Sequence, residues 1–215
     1  MRKLIQQNIS FLIPYLVFLL ISLVFLIIFS KNEIHIYLNQ FHCIGCDYFF
    51  KYYTFLGNGW FVLIVAIALL FYQYRLSFII AISTIITGVF VQLLKRLVFD
   101  DMLRPVKHFE GIYDLYLIPG INNFSYYSFP SGHTASAFSF FLCLALATRN
   151  NSMKFIFFFT ALLVGYSRIY LSQHFLIDVY FGSLISVLLT IPIFYFIKKK
   201  TGDTWENSLI SKRIK

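Results

Sequence analysis

The chain has 215 residues, 59% of them hydrophobic and only 13% charged, whereas soluble domains carry about 25% charged residues. A soluble fold of this length has too little interior to hide 27 Phe and 15 Tyr among its other apolar residues, which leaves an integral membrane protein. The net charge of +9 then reads as basic flanks of membrane spans; no soluble domain is left to carry a nucleic-acid surface.

A hydrocarbon core of about 30 Å needs about 20 apolar residues in a helix. Six stretches approach that, near 11–29, 60–73, 77–99, 131–148, 155–171 and 178–197. The expected fold class is an all-α integral membrane protein, six transmembrane helices forming one bundle, with residues 1–215 as a single domain. "MRK" before the first stretch resembles a signal peptide. Its apolar run is longer than the roughly 7–15 residues of such a segment and no small-residue cleavage site follows, so it is read as a retained anchor. The second stretch is short, and a re-entrant segment is its other reading.

Lys and Arg concentrate on one side when the N-terminus is placed inside. That side receives Arg2, Lys3, Arg75, Arg149, Lys154 and Lys198–Lys200, with Lys212, Arg213 and Lys215 in the tail. The other keeps Lys31, Lys51, Arg168 and a cluster over 95–107. Both termini are therefore expected in the cytoplasm, with the chain multi-pass in the cytoplasmic (inner) membrane. The "KKK" after the last stretch is expected to meet anionic headgroups.

Residues 31–59, with "YFFKYYTF", read as an outer segment whose aromatics lie at headgroup level. Inside it, "CIGC" places Cys43 and Cys46 beside His42. Two unpaired thiols are the first reading and a local disulfide the second; a zinc site lacks ligands beyond His35 and Asp47. Cys143 falls within an apolar stretch and reads as packing. The polar tail, 198–215, is expected to be loosely ordered.

Ionisable groups at span ends are costly and point to function. They gather in "KRLVFDDMLRP" (95–105), "PSGH" (130–133) and "SRIYLSQHFLID" (167–178), all on the outer side in the topology above. Lys95, Arg104 and Arg168 supply positive charge, Arg in a form that grips phosphate oxygens through paired hydrogen bonds. Ser131 and Gly132 open a helix, whose free N–H groups and dipole favour an anion, and Gly132 allows close approach. His174 and Asp178 share a helical face at four residues' spacing. A carboxylate on one ring nitrogen leaves the other as a free lone pair, as a nucleophile requires. His133 is placed to act as an acid.

These three stretches resemble the type 2 phosphatidic acid phosphatase superfamily of integral-membrane lipid phosphatases, whose motifs run K-x6-RP, PSGH and SR-x5-H-x3-D. Pro130, Ser131, Gly132 and His133 complete the second; Ser167, Arg168, His174 and Asp178 complete the third. The first departs, because eight residues separate Lys95 from Arg104 and Pro105. Arg96 and Lys107 are the alternatives for its lysine. The resemblance implies His174 as nucleophile, Asp178 as its orienting partner and His133 as acid and base. Lys95, Arg104, Pro105, Ser131, Gly132 and Arg168 become the phosphate site, at the outer rim of the bundle, with no cofactor and no metal.

The implied activity is hydrolysis of a membrane-lipid phosphate through a phosphohistidine. Phosphatidic acid, phosphatidylglycerol phosphate, undecaprenyl diphosphate and lipid A phosphates are the substrate classes it implies. A lipid-linked phosphotransferase on the same scaffold is the nearest rival, since a phosphoenzyme can pass its group to another hydroxyl. A transporter calls for polar groups at mid-membrane, and a metal hydrolase on Asp100, Asp101, His108 and Asp114 leaves both complete motifs unused. The expected partners are the lipid substrate and the bilayer, without nucleic acid; the oligomeric state is left open.

Overall fold

The structure, a computed structural model, describes residues 1–201. Helices and their connections account for these residues, and no strand occurs among them. Four helices are long and apolar enough to cross a membrane: α2 (Ile9–Ile28), α6 (Tyr74–Leu97), α9 (Asn151–Tyr170) and α10 (Leu176–Thr201). The short α1 (Arg2–Gln6) precedes them.

The expected second span is different in kind. Helix α5 (Gly59–Leu69) has 11 residues, about 16 Å at 1.5 Å per residue, too short to cross alone. It continues α4 (Ile44–Tyr53) and a 3-10 turn at Thr54–Gly57 through a 58° bend, so the pair is either one broken crossing or a re-entrant hairpin. The bend falls where Asn58 leaves helical geometry and its side chain caps α5 by accepting from Trp60 N. Before it lies α3 (Lys31–Leu38), opened by a reciprocal Ser30–Glu33 capping box. Cys43 and Cys46 form a disulfide at the start of α4, the second of the two readings rather than the first. Asp47 is taken up by His42, Tyr116 and Tyr170.

Helix α8 (Gly132–Ala147), also short at 16 residues, is the axis of the bundle. Ala135, Phe138, Leu142, Cys143 and Ala145 are buried, because α6, α9 and α10 surround it. A helix enclosed by protein need not match the hydrocarbon thickness, which explains its small residues and modest length. Helix α2 is the reverse: mean hydropathy is 3.0, yet only Phe11, Tyr15, Leu19 and Ser22 face inward. That narrow stripe meets the core edge-on, with Phe11 T-shaped against Phe158 at 5.7 Å.

The same periodicity delivers polar groups to one end. The buried face of α6 runs Ser77, Ile80, Thr84, Thr87, Val91 and ends on Lys95. That of α9 runs Lys154, Phe158, Ala161, Val164 and ends on Arg168. Spacing of three and four keeps each on one face, so an inward cation closes both stripes at the end where α8 starts. Of the tail expected to be loosely ordered from 198, residues 198–201 are helical as the end of α10; residues 202–215 lie outside the described residues.

Candidate active site

The turn before α8 is built from both neighbours. Ser131 caps the helix, its Oγ accepting from Thr134 N at 3.4 Å and Thr134 Oγ1 at 2.8 Å. Its own N–H donates to Asp178 O at 2.9 Å, joining the starts of α8 and α10. Phe129–Pro130 is a cis peptide. Two glycines make room for this turn. A Cβ on Gly57 would lie 2.7 Å from His133 O, and one on Gly182 2.6 Å from Ser131 O. Gly132 is another matter, because a Cβ there would meet only Val91 Cγ1, at 3.9 Å.

His174 sits in the connection between α9 and α10. Its Nδ1 lies 3.2 Å from Asp178 Oδ2, which also accepts from Phe175 N at 3.0 Å and from Ser128 Oγ. With Asp178 Oδ2 accepting at that nitrogen, Nδ1 carries the hydrogen and Nε2 the lone pair. Burial, then the charges of Lys95, Arg104 and Arg168, then His133, hold its pKa well below the usual 6.5. The imidazole is therefore neutral at neutral pH.

The cations surround it. Lys95 is 5% exposed and its Nζ donates to Tyr127 O at 2.6 Å and Ser128 O at 3.4 Å. Arg104 precedes the single-turn α7 (Pro105–His108), with Pro105 buried at its first position. Its Nε donates to Tyr126 O at 3.0 Å, one terminal nitrogen reaches Gln173 Oε1 at 3.3 Å, and the guanidinium lies over Phe124. Arg168 is buried. It donates to Thr54 Oγ1 at 2.7 Å, while its Nε is buried with no partner. A guanidinium donor left unmatched in the interior is costly unless an anion completes it.

All of Lys95, Arg104, Pro105, Ser131, Gly132, His133, Arg168, His174 and Asp178 are thus brought to the loop end of the bundle. The alternatives for the first-motif lysine lie at the same end but face the surface. Arg96 is exposed, and Lys107 pairs with Glu110 at the surface. Nor do Asp100, Asp101, His108 and Asp114 assemble: among the described residues, no three His, Cys, Asp or Glu side chains are grouped to hold a metal.

A profile of the PAP2 superfamily matches residues 74–202. The chain belongs to the PAP2 superfamily. It is a membrane-embedded phosphatase, and the neighbours among solved structures agree. LpxE of Aquifex aeolicus superposes with a TM-score of 0.67 and 28% identity, covering 76% of this chain and 93% of its own. The first transmembrane PAP2-type phosphatidylglycerolphosphate phosphatase from Bacillus subtilis superposes with 0.56 and 21%, covering 91% and 99%. No curated protein matches the chain by sequence.

Several residues of this PAP2 site escape a reading by motif. Ser128 and Gln173 abut the second motif and the nucleophile candidate; Thr54, Gly57 and Gly182 approach from elsewhere in the chain. Only Gly182 carries a local signal, being four residues beyond Asp178 on the same face of α10. Tyr127 (φ 58°) and Ser172 (φ 50°) hold left-handed backbone beside Ser128 and Gln173, a conformation that costs non-glycine residues about 1–3 kcal/mol and gathers at functional sites. Ser172 is braced by Asn39 Nδ2 at 3.3 Å and His35 Nε2 at 3.2 Å, so α3 supports the His174 connection.

Proposed function

We propose that this PAP2 phosphatase hydrolyses a lipid phosphate without a metal, through a phosphohistidine on His174. The observation that carries the reading is a buried Arg168 Nε without a partner, beside an imidazole–carboxylate pair and two further cations. The phosphate completes that donor, with Lys95 and Arg104 sharing the charge that spreads over the equatorial oxygens. Ser131 and Gly132 present the N-terminus of α8 to it. Packing leaves space at Gly132, which suits close approach by a phosphate oxygen.

His174 Nε2 attacks phosphorus and the bond to the lipid oxygen breaks, while His133 gives its proton to the departing alkoxide. Neutral His133 then takes a proton from water as that water attacks the phosphohistidine. Inorganic phosphate leaves and both imidazoles return to their starting states. Asp178, held by Ser128 and Phe175 N, keeps His174 in the reactive tautomer.

In this reading the chain is one domain of six crossings in the cytoplasmic membrane, counting α8 and the bent α4–α5 pair. Both termini face the cytoplasm, and the site opens at the outer rim, where a lipid phosphate lies at headgroup level with its tail among the helices. Substrates come from the phosphatidic acid, phosphatidylglycerol phosphate, undecaprenyl diphosphate and lipid A classes. A phosphate-release screen of the purified protein against these four lipid classes ranks them.

The deciding experiment is an acid-quench on purified protein with labelled lipid phosphate. Wild type is expected to trap an acid-labile phosphoryl group and His174→Ala to trap none, with turnover lost. EDTA is expected to leave turnover intact. Activity in His174→Ala overturns the assignment.

A further inference from the structure

At the end of the bundle opposite His174 lies a second polar cavity, about 900 Å³ in volume, lined by Lys3, Asn8, Arg149, Lys154 and Lys198 among others. Helix α8 separates the two. It begins at Gly132 in the candidate active site and ends at Ala147, which lines this cavity, so about 24 Å of helix lies between them. The cavity is not part of the phosphatase site.

Its chemistry is one-sided. Lys3, Arg149, Lys154 and Lys198 line it, and among the described residues no carboxylate does. The 20-residue α9 starts here, so its positive end adds to the field. A bias of basic loops explains exposed cations, but Lys154 is 3% exposed. It donates to Gln7 O, which occupies one of its three ammonium hydrogens. Burying an ammonium against a single carbonyl is unfavourable without an anion nearby.

The independent observation is Asn8. It is 2% exposed and lines the cavity. Its Nδ2 donates to Leu4 O at 2.7 Å, which fixes the amide orientation and leaves Oδ1 as the buried atom with no partner. An anion cannot satisfy an amide oxygen; a hydroxyl donor can. Cations and a free acceptor in one cavity ask for a ligand that carries a phosphate and a hydroxyl together. Ile9, Leu146 and Ala147 give the cavity an apolar wall, and Ile9 opens the first membrane helix, where a lipid headgroup adjoins its chains.

We propose that this cavity binds the phosphoglycerol headgroup of an anionic membrane lipid. The phosphate lies among Lys3, Arg149, Lys154 and Lys198, a glycerol hydroxyl donates to Asn8 Oδ1, and the acyl chains descend along Ile9. Because Lys3 and Asn8 come from the N-terminal segment while the other cations lie on α9, α10 and the connection before α9, the lipid ties that segment to the bundle.

The test is thermal unfolding of the purified full chain in a neutral detergent. Short-chain phosphatidylglycerol is expected to raise Tm by several degrees, while phosphatidylcholine does not. Phosphatidylethanol, which keeps the charge and lacks the free hydroxyls, is expected to give a smaller rise. Free glycerol 1-phosphate at the same concentration is expected to give none; an equal rise would uphold the phosphoglycerol contacts and overturn the lipid as their source. The exposed pair Lys3→Gln and Arg149→Gln should erase the effect, whereas Arg104→Ala in the catalytic pocket should retain it. A rise that survives the double variant, or that phosphatidylcholine matches, overturns the site. Equal stabilisation by phosphatidylethanol overturns the hydroxyl contact to Asn8.

Discussion

At the scale of single residues, two side chains separate charge stabilisation from proton transfer. Lys95 ends the buried stripe of α6 and points at the carbonyls of Tyr127 and Ser128, so it faces the candidate site although the spacing of its motif is unusual. Lys95→Ala should lower kcat/KM by about 10²–10³, the usual loss for one preorganised donor to a developing charge. Arg96→Ala and Lys107→Ala should stay near wild type, because those side chains face solvent. Equal small losses in all three would remove Lys95 from the phosphate site. His133 is distinguished by the leaving group. General-acid catalysis is worth roughly 10²–10⁴ in rate and matters most for a poor leaving group. Single-turnover phosphoenzyme formation in His133→Ala should therefore fall by that order on a lipid monophosphate and far less on p-nitrophenyl phosphate. Equal slowing on both would make His133 a phosphate-positioning residue.

Between elements, the site depends on how closely α10 and the 3-10 turn approach the start of α8. Gly182 lets the backbones meet, since a Cβ there would lie 2.6 Å from Ser131 O, and backbone cannot swing aside as a flexible side chain does. Gly182→Ala should destabilise by about 1–3 kcal/mol, the range for overpacking, and depress kcat by displacing Ser131 and His133 from Asp178. Gly88→Ala is the matched control. It places the same methyl on α6 with nothing within 4 Å, so helix propensity alone should stabilise it by about 0.5–1 kcal/mol. Urea or thermal unfolding with a parallel kcat measurement reads both, and an indifferent Gly182→Ala would show that the α8–α10 contact does not set the geometry. Most of this packing was hidden in the sequence: Gly57 lies far along the chain from the turn it serves and nothing local marks it, while Gly182 shows only its four-residue spacing from Asp178.

For the whole molecule, the sidedness of the candidate site decides where phosphate is released. The basic flanks put it outside in the proposed topology. Asn122, exposed in the connection that carries Ser128, is the reporter. With Cys43 and Cys46 replaced by serine and Cys143 buried, Asn122→Cys should react with a membrane-impermeant maleimide on intact cells. Labelling only after lysis would invert the topology and place phosphate release in the cytoplasm.

Composition was enough for membrane residence, because 59% hydrophobic content leaves a chain no soluble way to bury itself. The two complete motifs were enough for the family, and they single out His133, His174 and Asp178 as the residues the proposed chemistry would use, since that chemistry needs fixed residue types at fixed spacing. Helix periodicity also told which faces Lys95 and Arg168 share with the core. Span lengths were less legible. Apolar runs look alike whether they meet lipid or protein, so the enclosed α8 emerged only from packing, and the short second stretch, readable as a re-entrant segment, gave no sign of the 58° bend between α4 and α5. The brace of Asn39 and His35 on Ser172, the glycine contacts at the α8 start and the unmatched Arg168 Nε were decided by tertiary structure alone. Each depends on residues distant in sequence meeting within a few ångströms, and one-dimensional spacing carries no record of that distance.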